Sequence, residues 1–203
     1  MEELREMLID QLRDAHSAER QAIQAMKRVM RKSSDPELRK GIEAHIAQSE
    51  EQRNRVEQAL EQLGGRAGRK VCEAMRGLVE EAQHELEDHD KGPILDLVIV
   101  AGQQRIEHYE IAAYGTMVEL SKAMGENEVA DLLAQTLGEE KQQDEKLTEV
   151  TQSSILPAAL SSGEEEEEDE DEGEEDEGED EEDDEEEESR PAKKGTKSAK
   201  RGR

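Results

Sequence analysis

Residues 103 to 117 read Gln103-Gln104-Arg105-Ile106-Glu107-His108-Tyr109-Glu110-Ile111-Ala112-Ala113-Tyr114-Gly115-Thr116-Met117. The stretch lies inside a longer pattern from Ile94 to about Met124, in which Ile99, Ile106, Ala113, Met117 and Leu120 recur at the spacing of a helical face. A stripe through Val100, Gln103, Tyr114 and Met117 includes Glu107 and Glu110. Unpaired carboxylates are rarely buried, so a single Glu on such a stripe more often turns to the rim or finds a salt bridge. Whether these two stay inside depends on what the other helices bring to the same height.

Upstream, Leu8, Leu12, Ala15, Ala22, Met26 and Val29 predict a helix from about Glu3 to Lys32, with one stripe position, Glu19, not apolar. Asp35 and Pro36 read as the N-cap and first position of a second helix carrying Leu38, Ile42, Val56, Ala59 and Leu63, stopped by Gly64 and Gly65. Val71, Met75, Leu78, Ala82 and Leu86 predict a shorter helix between Lys70 and Asp88. A last long helix runs from about Glu128 to Val150 through Val129, Leu133, Thr136 and Leu147, with Pro157 beyond it.

The first two long helices are joined by very few residues, as are the last two, so each pair forms an antiparallel hairpin. Residues 64 to 92 are enough to travel the length of the bundle between the hairpins. The expected fold class is therefore all-α: a ferritin-like four-helix bundle over residues 1–160, with a short crossover helix between the second and third long helices. An ordinary antiparallel bundle with an added helix fits the periodicity as well.

The polar interruptions share a height. Glu19 is near the middle of the first helix, His45, Ser49 and Gln52 span the middle of the second, and Glu107 and Glu110 the middle of the third. Glu140 and Asp144 lie slightly past the middle of the fourth. Antiparallel packing brings them into one layer, and five converging carboxylates repel one another and resist desolvation unless a cation joins them. Two divalent ions nearly balance the layer. Hard oxygen donors with one imidazole suit iron or manganese. The candidate metal ligands are Glu19, His45, Glu107, Glu110, Glu140 and Asp144, with Gln52 and Tyr114 standing behind them to hold them in place.

Several strings also carry a family resemblance. Asp14-Ala15-His16-Ser17-Ala18-Glu19-Arg20-Gln21, His45-x-x-x-Ser49-x-x-Gln52, Cys72 to Glu81, Glu107 to Thr116 and Leu137 to Leu147 resemble the YciE/YciF ferritin-like stress-protein family over about residues 5 to 150. The resemblance implies a bacterial cytoplasmic protein, a homodimer, and a dinuclear metal centre, iron ahead of manganese, linked to stress responses. The chain departs from a strict ferritin-type centre, which has Glu-x-x-His on the second and fourth helices; neither helix has it here. Glu50 stands where a relative has a His and is a further candidate ligand, ranked below His45. The Glu81 to His84 pair in the short helix reads as a solvated face, His16, His89 and His108 as surface or rim residues, and Cys72 as a small apolar one.

Charge and composition set the outer bounds. Of 55 acidic residues in the 203-residue chain, 23 lie in residues 164–188, and 7 of the 27 basic ones lie in 189–203, leaving residues 1–163 with a net charge of −12 out of −28. The tail from 161 onward, acidic and then basic, is expected to be disordered. It would attract cations or basic proteins, while its own acidic run competes with phosphate for the basic end and makes nucleic acid an unfavoured partner. No apolar run is long enough for a membrane span, and the charged opening residues and single Cys72 point to a reducing cytoplasm. Two functions follow: a metal-binding protein that oxidises Fe(II) or consumes peroxide, or a non-catalytic scaffold whose acidic tail binds cations or basic partners.

Overall fold

The computed structural model describes residues 2–162. Four long helices and one short one make up the bundle: α1 (Glu2–Lys32), α2 (Pro36–Gln62), α3 (Glu73–Glu85), α4 (Pro93–Ala123) and α5 (Asn127–Val150). The expected acidic run 164–188 and basic end 189–203 lie outside the described residues.

Local chemistry sets the boundaries. Asp35 caps α2, its carboxylate accepting from the Leu38 amide at 2.8 Å, with Pro36 directly behind it. Gly64 ends the same helix with φ of 72°, a conformation that costs a side-chain-bearing residue steric energy, and the Gly65 amide returns to the Leu60 carbonyl at 2.7 Å.

Contacts at the two ends fix the topology. Arg5, at the start of α1, donates to the Leu63 carbonyl and pairs with Glu126, so this end gathers the end of α2 and the α4–α5 turn. At the other end the Asp96 carboxylate, near the start of α4, accepts the Ser34 and Asp35 amides at 2.8 Å each. Neighbouring helices are therefore antiparallel, in the order α1, α2, α5, α4 around the bundle. The chain leaves α2 at one end and enters α4 at the other, so residues 63–92 make the long return, with α3 packed on α1 and α4. This is the ferritin-like connectivity rather than the plain antiparallel alternative.

Two elements differ from their expected limits. The short helix starts at Glu73, not Lys70, because Cys72 is extended and its sulfur accepts the Met75 amide at 3.4 Å; Val71, expected on the buried stripe, is exposed. The last helix continues past Val150 through a π turn, Thr151–Ile155, and stays helical to Ser162 despite Pro157. In the wide turn the Leu156 amide reaches Thr151, five residues back. Burial of Ile155 and a bond from the Ser154 hydroxyl to Asp35 hold this extension on the bundle. Gly102 is where α3 crosses α4: a Cβ there would stand 3.1 Å from that of Ala82.

The core is divided. One apolar cluster lies toward the α1–α2 turn, around Ile23, Met26, Leu38, Ile42, Ile99, Leu147 and the inner face of α3. The other lies toward the opposite end, around Leu8, Leu12, Val56, Leu60, Met117 and Leu133. A polar layer separates them. No helix among the described residues is long and apolar enough to cross a membrane.

Candidate metal centre

Each long helix supplies the layer from the middle of its inward face. Glu19, His45, Glu107, Glu110 and Glu140 are all at most 3 % exposed, so the carboxylates of Glu107 and Glu110 stay inside rather than turning to the rim. His45 faces two of them, Nδ1 at 3.5 Å from Glu107 Oε1 and Nε2 at 3.7 Å from Glu140 Oε2. Donor atoms of these three residues lie within 4.8 Å of one another. Two ligands about 2.1 Å from one ion are at most about 4.2 Å apart, so small side-chain adjustments would close the set around a cation.

The hydrogen-bond inventory of the layer is one-sided. Both oxygens of Glu107 and Glu140, one each of Glu19 and Glu110, both His45 nitrogens and the amide oxygens of Gln52 and Gln103 have no hydrogen-bond partner and almost no solvent contact. Nearly all of these atoms are lone-pair donors, and leaving them bare in a core costs energy that a hydrogen bond or a cation must offset. The residues present thus fit a metal ion: they form a buried, mostly oxygen donor set with one imidazole.

Electrostatics agree. Glu19 is raised from 4.5 to about 8, by burial first and then by the Glu140 carboxylate, with the Tyr114 hydroxyl and Arg55 working the other way. Glu107 is held well above the ordinary carboxylate range by burial and by the facing Glu140. Glu110 is raised by burial and then by Glu19, Glu140 and Glu107. Without a cation, protons are what these groups must take up.

The neighbouring polar residues sort themselves by contact. The Tyr114 hydroxyl donates to Glu19 Oε1 at 2.5 Å. Gln52 donates its amide to Glu139 at 3.2 Å, outside the inner set, and leaves its own oxygen facing the core. Asp144 lies at the rim, its carboxylate accepting from Gln104 at 3.1 Å, while Gln143, one position earlier, takes the buried place. Glu50 turns outward to Lys27 at 3.0 Å. His16 bonds Glu57, and His84, His89 and His108 are exposed.

Sequence reasoning missed Arg55 and Glu139. Arg55 is buried next to the layer and donates to Glu139 at 2.6 Å and to the Thr136 hydroxyl at 3.1 Å. Their signal was present: Arg55 is the next helical step after Gln52, masked by the adjacent apolar Val56. A second polar cluster ties the crossover to the bundle rather than to the layer. The Tyr109 hydroxyl donates to Asp14 at 2.9 Å and lies 3.0 Å from Cys72 Sγ, and the Cys72 amide donates to the Ser17 hydroxyl at 3.0 Å. Burial, reinforced by Asp14, raises the thiol pKa.

Comparison with known proteins places this chain among relatives. The model of a domain of unknown function, DUF892, matches residues 3–160. The chain is 35 % identical to Protein YciF of Escherichia coli K12 over 156 residues, 76 % of this chain and 94 % of that one. The crystal structure of the E. coli stress protein YciF matches with a TM-score of 0.70 and 36 % identity, covering 74 % of this chain and 95 % of the other. YcfI of Rhodopseudomonas palustris matches with a TM-score of 0.69 and 32 % identity, covering 71 % and 92 %.

Proposed function

This chain belongs to the DUF892 family, and from that premise we propose that it is a metal-binding ferritin-like protein of the bacterial stress response, holding two divalent ions, iron ahead of manganese. The observation that carries the reading is the set of unpartnered lone-pair atoms in the layer between the two apolar clusters. Glu19, Glu107, Glu110 and Glu140 bring four negative charges, which two divalent ions balance, and Arg55 already balances Glu139. His45 would be the single nitrogen ligand. We place Asp144 outside the inner set, where Gln104 holds it. Oxygen donors bridging two ions are the arrangement found in carboxylate-rich bundles.

Bound iron would supply one-electron chemistry, each Fe(II) giving an electron to dioxygen or peroxide. The chain's own residues position and insulate. Tyr114 fixes the Glu19 carboxylate, Arg55 lends positive potential beside it, and the apolar clusters keep bulk water from both sides of the layer. The stress setting is taken from YciF.

Metal analysis after anaerobic Fe(II) loading tests this on the full chain, on a chain ending at Ser162, and on Glu107→Ala. Stoichiometric metal in the first two and its loss in the third is expected. Absence of stoichiometric metal from both wild-type forms sinks the reading, and loss only on truncation assigns binding to the tail instead.

A further inference from the structure

The buried layer needs a way in, and the seams of the bundle differ in how they are closed. The α1–α4 seam is covered by α3. Along α1–α2 the bridges Lys27 to Glu50 and His16 to Glu57 span the helices at 3.0 and 2.8 Å. Along α4–α5 the Gln104 amide donates to both Asp144 and Thr148 at 3.1 Å. Among the described residues, the α2–α5 seam is closed at one end of the layer by the Arg55–Glu139 pair and open at the other, where a groove of about 310 Å³ lies between the two helices.

His45 lines that groove together with Glu37, Gly41, Gln143, Lys146 and Glu149. It is 2 % exposed, and neither ring nitrogen has a hydrogen-bond partner. Gly41 lies one turn before His45, on the same face of α2, and a Cβ placed there would meet nothing within 4 Å. A glycine inside a helix is destabilising relative to alanine, and no close approach or positive φ requires it here. Its effect is to leave the groove wide one turn above His45. Two acidic groups and one basic group among these residues leave a net negative lining, which favours cations.

We propose that the α2–α5 groove is the passage by which a divalent cation reaches the carboxylate layer, with His45 as its floor and Gly41 keeping it open. The proposal rests on the metal-binding reading and adds the route and the residue that controls it. Both apolar clusters block approach along the bundle axis, so a route from the side is needed.

Stopped-flow mixing of the metal-free full-length protein with Co(II), followed by the visible absorbance of the filled site, separates route from site; His45→Ala defines the background. Gly41→Leu introduces a good helix former and fills the mouth. It should slow uptake on the order of tenfold at unchanged final amplitude, whereas Gly77→Leu, on the exposed face of α3, should load like wild type. Lys146→Glu should speed uptake about threefold at low salt, and the gain should vanish at high salt. Wild-type rates in Gly41→Leu overturn the passage. So does lost amplitude with helicity preserved, because the groove would then belong to the site. A wild-type protein with no Co(II) site removes the metal reading itself, without any appeal to the variants.

Discussion

Glu139 and Glu140 are neighbours on α5, yet one carboxylate receives three hydrogen-bond donors and the other receives none. Arg55, Gln52 and Gln135 all donate to Glu139. Both Glu140 oxygens are bare, and the groups around it are three other carboxylates, Glu19, Glu107 and Glu110, and the His45 ring. Partial burial works against the Glu139 charge, but Arg55 and Gln135 outweigh it and hold the group below the ordinary value. In the layer beside it, burial and like charge push Glu19, Glu107 and Glu110 upward. A one-residue step along a helix turns the side chain by about 100°, enough to move it from a seam that supplies its own counter-charge to a core that leaves it out. The first arrangement is self-contained; the second is built around something added.

The largest expected effect separates the two by pH. In the folded, metal-free protein Glu19 keeps its proton up to about pH 8, whereas the unfolded chain releases it near 4.5. The native state therefore holds more protons across that window. Its stability is fully present below 4.5 and is lost as pH rises through 8, with Glu107 and Glu110 acting in the same direction. The slope is at most about 1.4 kcal/mol per pH unit for each group. Denaturant titrations at pH 5, 6.5 and 8 with chelator should show stability falling by several kcal/mol, and bound metal should flatten the trend. A metal-free protein equally stable at pH 5 and 8 would contradict the shared layer of raised carboxylates.

Next in size is the destruction of the satisfied pair. Arg55→Leu removes the main partner of Glu139, a bond to Thr136 and a positive charge that favours ionised Glu19. A loss of about 2–3 kcal/mol is expected, since Glu139 reaches enough solvent to recover part of its hydration. The variant should also carry the fall in stability on to pH values above 8, which a purely local role for Arg55 would leave unchanged.

The smallest effect sharpens the comparison inside the layer. Tyr114→Phe takes away the donor on Glu19 while keeping the ring packed in its cluster, at a cost of about 1–2 kcal/mol at pH 8. At pH 5, where Glu19 is protonated, the difference should shrink, and equal losses at both values would mean that the hydroxyl does not serve the carboxylate.

Much of this was legible in the sequence, for reasons that differ by feature. The long helices and their limits follow from a 3.6-residue period and from local stops such as Asp35-Pro36 and Gly64-Gly65, which act over a few residues. The layer was legible because Glu19, His45, Glu107, Glu110 and Glu140 interrupt their stripes at one height. Asp144 shows the limit of that reasoning. Steps of three and four are both helical, and only packing decides that Gln143 turns inward and Asp144 meets Gln104. The continuation past Val150 was hidden for a similar reason: Pro157 signals a stop, while the burial of Ile155 and the Ser154 to Asp35 bond depend on a chain segment more than a hundred residues away.

The sequence by itself determined that these residues form amphipathic helices and that each helix carries charge where its face should be apolar, because both are properties of order along one chain. Tertiary structure alone decided which charges are answered. Arg55 reaches Glu139, Tyr114 reaches Glu19, and four other side chains converge with Glu19 and leave most of their polar atoms without a partner. Pairing depends on distances of a few ångströms between helices, and no spacing within a helix encodes them. The same is true of the groove beside His45, a gap between two helices that neither sequence segment shows alone.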